Sequence, residues 1–155
     1  MDYIISGLPL EPFRALFGLD ADALQQHGIE RVVADAKPGF PCRVTLQDAE
    51  PGESLLLLAY EHQAVDGPYR SSGPIFVRES AQASFAVRND IPEQQRARLL
   101  SVRAYDQEGS MHDAEVVEGI DLERLIVRFL ADPRVSYLHA HNARRGCYAC
   151  RVDRG

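Results

Sequence analysis

Val135-Ser136-Tyr137-Leu138-His139-Ala140-His141-Asn142-Ala143-Arg144-Arg145-Gly146-Cys147-Tyr148-Ala149-Cys150-Arg151-Val152 reads as two strands and a turn. Val135 to His141 and Cys147 to Val152 are the strands, and Asn142 to Gly146 joins them, which predicts an antiparallel hairpin. Outward from it, the same pattern recurs. Strands are expected at Tyr3–Ile5, Arg31–Ala34, Arg43–Leu46, Ser54–His62, Ile75–Arg78, Leu99–Tyr105 and Ala114–Val117. Loops rich in Pro and Gly separate several of them, at 37–41, 51–52 and 67–68.

Helical signals are fewer. Pro12–Phe17 reads as a short turn of helix, Asp20 caps a second that stops at Gly28, and a third lies near Pro92–Arg98. The clearest helix is Asp121–Ala131, where Leu122, Leu125, Ile126, Phe129 and Leu130 form one apolar stripe. Asp121 is positioned to cap it and Pro133 to end it. The fold class is therefore α+β: a mainly antiparallel sheet, a few short helices on one face, and one longer amphipathic helix over 121–131. No repeat or linker divides the chain, so residues 1–155 are read as one domain.

The charge balance narrows the function classes. A net charge of −6 argues against nucleic acid or an anionic membrane as partner, and a small-molecule ligand is compatible with it. The start Met1-Asp2-Tyr3 lacks a basic leader, and Leu55–Tyr60 is too short an apolar run to cross a bilayer. With three cysteines this implies a cytoplasmic chain with reduced thiols. Lys37 is the single lysine among 17 basic residues, an expected site for a primary amine that a guanidinium does not replace.

Reactive side chains fall in three places. His139 and His141, two apart on a strand, put both imidazoles on one face, half of a zinc, copper or iron site. The hairpin loop decides which cysteine joins them. A three-residue loop with Gly146 left-handed places Cys147 on the histidine face and Cys150 on the other, whereas a four-residue loop reverses this. Cys147 and Cys150 are three apart on a strand, which argues against a zinc ribbon or redox dithiol. Second, Ala34–Arg43 is a loop stiffened by Pro38, Gly39 and Pro41 that presents Asp35, Lys37, Cys42 and Arg43. An amine or thiol beside a guanidinium suits a nucleophile acting on an anionic substrate. Third, Glu61 adjoins His62 on the strand 54–62.

Four segments resemble the bacterial DUF1203 family: ADAKPGFPCR at 34–43, YEHQ at 60–63, GPIFVR at 73–78, and HAHNA followed by GCYA at 139–149. The resemblance spans essentially the whole chain. It implies no activity and no catalytic residue, because the family's name records that none was assigned. It does imply alanine in many relatives where Cys150 stands, which leaves Cys147 as the better companion of the histidine pair.

Three readings follow. The first is a small cytoplasmic enzyme. Lys37, Cys42, His62, His139, His141 and Cys147 are its candidate catalytic residues, and Arg43, Glu61 and Arg78 hold the substrate. The second is a transition-metal site of His139 and His141 with Cys147 or His62, three ligands that leave a position open. The third is a non-catalytic module in which the same cluster recognises a small anion. All three require the segments to meet in space.

Overall fold

Burial along the strands separates the chain into layers. In the computed structural model, which describes residues 1–155, the elements in chain order are β1 (Tyr3–Ser6), α1 (Glu11–Arg14), α2 (Ala21–Gln26), β2 (Glu30–Val33), β3 (Ser54–Gln63), β4 (Ser71–Arg78) and β5 (Ala86–Arg88). There follow α3 (Glu93–Arg96), β6 (Leu99–Tyr105), β7 (Met111–Glu118), a 3-10 turn at Gly119–Asp121, α4 (Leu122–Leu130), β8 (Tyr137–Asn142) and β9 (Tyr148–Arg154). The architecture is α+β and the named strands pair antiparallel throughout.

The strands form two sheets, not one. Six make a sheet in the order β5-β1-β9-β8-β6-β7, and β2-β3-β4 make a second. Alternation on β6 shows why the larger sheet has two working faces. Leu100, Val102 and Ala104 join a buried cluster with Leu122, Leu125, Ile126, Phe129 and Leu130 of α4. The other face carries Ser101, Arg103 and Tyr105, set opposite His141, His139 and Tyr137 of β8. There the smaller sheet approaches, and Tyr148 of β9 packs in a cluster with Leu56 and Leu58 of β3 and Ile75 and Val77 of β4.

The central hairpin closes as a four-residue loop, Ala143–Gly146, which sets Cys147 against Asn142 and Tyr148 against His141. Gly146 adopts a positive φ of +83°, which costs glycine nothing. Its N–H donates to Asn142 O at 2.7 Å, while the Asn142 N–H donates to Cys147 O at 2.9 Å. Gly146 and Cys147 thus share one partner, a bulge at the turn. Further along, Cys150 opposes Ala140 and lies in the α4-side core.

Two local expectations are corrected, and one further strand is present. Arg43–Leu46 is a turn and not a strand. Leu46 has φ +52°, the Cys42 N–H donates to Gln47 O, and only the isolated bridges Pro41–Asp48 and Cys42–Phe76 remain. Arg43, Val44 and Leu46 are buried and Thr45 partly so, a pattern with no period of two. Asp121 makes no side-chain cap on α4, because a 3-10 turn precedes the helix. The short strand β5 lies where no element is expected from the sequence, and pairs with β1 at Ile4–Arg88 and Ile5–Val87. By contrast Asp20 caps α2 as expected, accepting from the Ala23 N–H at 2.8 Å.

The α4–sheet interface gives a direct stability test. Ile126 is wholly buried, so Ile126→Ala is expected to cost about 2–5 kcal/mol in urea unfolding. Ile120, 73% exposed one turn before the helix, should change stability by no more than about 0.5 kcal/mol when replaced by alanine. Equal effects at the two positions would contradict the packing described.

Candidate functional site

The two sheets meet over a cluster of imidazoles and phenols. His139 and His141 project from β8 towards the smaller sheet and are 2% and 1% exposed. From that sheet comes His62, on β3. Its ring centre lies 5.0 Å from that of His141 and 6.2 Å from that of His139, and the His139–His141 separation is 6.5 Å. Tyr148 stacks on His62 at 5.3 Å with the rings nearly parallel, and Tyr105 and Tyr137 flank His139.

Two strand irregularities build this arrangement. In β3 the register slips by one residue between Tyr60 and Gln63. That bulge lets both His62 and Gln63 face the larger sheet, where Gln63 Nε2 donates to the Tyr137 hydroxyl at 2.9 Å. In β9 the register slips between Ala140 and His141, so Ala149 is the extra residue. Tyr148 then opposes His141 and Arg151 opposes His139, both on the histidine face.

The ring nitrogens are enclosed yet mostly bare. Both nitrogens of His62, Nδ1 of His139 and Nε2 of His141 are buried without a hydrogen-bond partner. His141 Nδ1 lies 2.9 Å from Gly146 O. A carbonyl only accepts, so Nδ1 carries the proton and Nε2 presents its lone pair. Bare buried nitrogens are costly unless something meets them.

Burial also keeps the rings neutral. Desolvation, then the charges of Arg151 and the neighbouring histidines, hold His139 down to about 3. Desolvation likewise takes His141 to about 4, against the opposing Gly146 hydrogen bond. His62 is lowered by burial first and Arg103 second, opposed by the backbone of Tyr60, which comes near the ring without meeting hydrogen-bond geometry. Arg103 acts on all three rings, and it stands directly opposite His139 on the adjacent strand.

Arg43 seals one side. It is 2% exposed, and its Nε donates to Tyr148 O at 2.6 Å while Nη1 donates to Pro41 O. Burial holds the Arg43 pKa below the ordinary guanidinium value, with the Cys147 thiol the largest opposing influence. Cys147, half-buried at the hairpin turn, is thus placed by Arg43.

The remaining sequence candidates lie elsewhere. Lys37 is exposed and pairs with Glu50 on the rim of a cleft of about 400 Å³ that Arg78, Asp48 and Gln94 also line; no histidine lines it. Arg78 forms a two-pronged ion pair with Glu53 at 2.8 Å. Glu61 faces away from His62 and pairs with Arg70 at 3.0 Å. Cys42 is fully buried, and its sulfur accepts the backbone N–H groups of Thr45 and Arg78 at 3.4 Å each. Cys150, sealed in the core, has its thiol pushed up to about 12 by burial. The structure therefore gathers His62, His139 and His141, with Arg43 beside them and Cys147 at the hairpin turn, and leaves Lys37, Glu61 and Arg78 outside.

A family model described as protein of unknown function (DUF1203) matches residues 39–154, about three quarters of the chain. The chain belongs to the DUF1203 family. The match takes in His62, both hairpin histidines, Arg43, Arg103 and Cys147, while Lys37 precedes it. No curated protein and no solved structure matches this DUF1203 chain. No helix is long and apolar enough to cross a membrane.

Sequence reasoning missed Arg103, Tyr105, Tyr137 and Tyr148. Arg103 carried a readable signal: a charged residue between Val102 and Ala104 in an otherwise apolar strand implies that the second face of that strand meets something polar.

The depressed histidines fix the sign of a pH response. Above the ordinary imidazole value of about 6.5 they are neutral folded and unfolded alike, and their contribution is fully present. Below it the unfolded chain takes up protons that buried His139 and His141 refuse. Stability should therefore fall from pH about 6.5 towards the folded values of about 4 and about 3. In urea unfolding at pH 7 and pH 4.5, the double variant His139→Gln, His141→Gln should lose less stability between the two than the parent. An unchanged pH dependence would contradict neutral burial.

Proposed function

We propose that this DUF1203 chain binds a divalent transition metal, zinc in class, through His62, His139 and His141. The observation that carries this reading is the set of enclosed, partnerless nitrogens on three neutral rings from two sheets. Neutral imidazole is the metal-binding form. His141 has the companion hydrogen bond that ligating histidines use, its far N–H on a backbone carbonyl, which aims Nε2 inward. His62, and not Cys147, supplies the third ring.

Fit can be judged from ring spacing. Imidazoles sharing a zinc with Zn–N of about 2.0–2.1 Å have centres about 5 Å apart. The His62–His141 pair already stands at 5.0 Å. The other two separations are 6.2 and 6.5 Å, and no three donors yet stand at ligand spacing. Loading thus requires His139 to move in by roughly an ångström, within reach of a side-chain rotation.

Three neutral ligands leave a fourth position open, the arrangement of catalytic sites and not of structural ones. The ion supplies Lewis acidity; the chain supplies an enclosed, water-poor setting and a guanidinium nearby. A thiol or lysine enzyme fits less well, since Cys42 has no exposed sulfur and Lys37 is bound to Glu50 at the surface.

Metal analysis tests this. Untagged protein loaded with zinc and desalted should retain about one ion per chain, and His62→Ala, His139→Ala and His141→Ala should each lose it. Cys147→Ser and Lys37→Met should keep it. At zinc about 100-fold above Kd, the parent should gain about 2.7 kcal/mol in unfolding free energy. Zinc retained by His139→Ala, or lost from Cys147→Ser, would overturn the assignment.

A further inference from the structure

Lys37 and Arg78, which lie apart from the histidines, line one cleft of about 400 Å³ together with the turn after Arg43, Phe85 and the start of α3. That volume lies in the range of small-molecule sites. The charges around it are matched in pairs. Lys37 pairs with Glu50, Arg78 with Glu53 and Asp48 with Arg98, and the one lining acid left over, Glu93, is exposed.

Hydrogen-bonding groups nonetheless remain uncommitted. The Asp48 carboxylate takes the two prongs of Arg98 at 2.7 and 3.1 Å, which uses two of its roughly four acceptor positions. Gln94 is buried, gives one amide N–H to Cys42 O at 3.5 Å and keeps a second without an acceptor. The Thr45 hydroxyl oxygen is enclosed with no partner, a cost that a ligand hydroxyl would remove. Phe85, 36% exposed, adds an apolar ring to the wall.

An anionic ligand would have to displace a carboxylate from Lys37 or Arg78. Hydroxyl groups both donate and accept, and they leave those pairs in place. We propose that the cleft binds a small neutral polyhydroxyl compound, a monosaccharide in class. Thr45, Asp48 and Gln94 meet its hydroxyls, and Phe85 lies against its C–H face. The site shares no residue with the histidine cluster, so it neither rests on the metal reading nor bears on it.

An NMR titration of the full chain labelled with nitrogen-15 tests this. D-glucose and myo-inositol are the probes, with sodium acetate and methylammonium chloride as charged arms. About a dozen non-hydrogen atoms at ordinary ligand efficiency give a Kd on the order of 1 mM. Saturable shifts are expected at the backbone amides of Thr45, Asp48, Phe85 and Gln94. Thr45→Val, which keeps the side-chain shape, should weaken glucose binding about threefold or more, and Phe85→Ala about tenfold or more, each with the dispersed spectrum of a folded chain. No saturable shift with either polyol up to about 100 times that Kd, shifts confined to other parts of the chain, or unchanged affinity in both variants would overturn the proposal. Tighter binding of acetate or methylammonium than of either polyol would overturn it too, and would mark the cleft as a site for a charged ligand.

Discussion

A buried guanidinium holds the two sheets in register. Arg43 sits at the turn that follows Pro41, next to the Cys42–Phe76 bridge to β4, and donates across the interface to Tyr148 O of β9. A buried cation is tolerated only where its donors are satisfied, and here backbone carbonyls do that work in place of a carboxylate. The consequence is geometric. The turn, the smaller sheet and the hairpin are fixed relative to one another at the point where His62 meets His139 and His141.

Around that point, the two sheets depart from regular pairing in the same region. One extra residue in β3 and one in β9 turn His62, Gln63, Tyr148 and Arg151 towards a shared space. A regular ladder would alternate these side chains away from one another. The chain as a whole is acidic, with a net charge of −6, yet this interior face presents arginines and neutral imidazoles. The local sign of charge, and not the global one, determines what such a site attracts.

Much of this was legible in the sequence. The hairpin at 142–146, the apolar stripe on α4 and the Asp20 cap each follow from local chemistry, and each formed. So did the pairing of His139 with His141, since positions two apart on a strand share a face. The joining of His62 to that pair was not legible, because it depends on a contact between sheets and on a bulge that leaves no mark on a period of two. Arg43–Leu46 misled for a related reason: its residues are buried by tertiary contacts in a turn, which imitates the apolar run of a strand. The separation of Lys37 and Glu61 from the histidines also follows from long-range pairing, with Glu50 and Arg70 respectively.

On the metal proposal, nitrogens of His62, His139 and His141 share one ion between the sheets. X-ray diffraction at the zinc absorption edge, on crystals of the full chain loaded with one equivalent of zinc, tests it most directly. A single strong anomalous peak is expected about 2.0–2.1 Å from a nitrogen of each of His62, His139 and His141. A peak on Cys147 or on surface carboxylates, or none between the sheets, would contradict it.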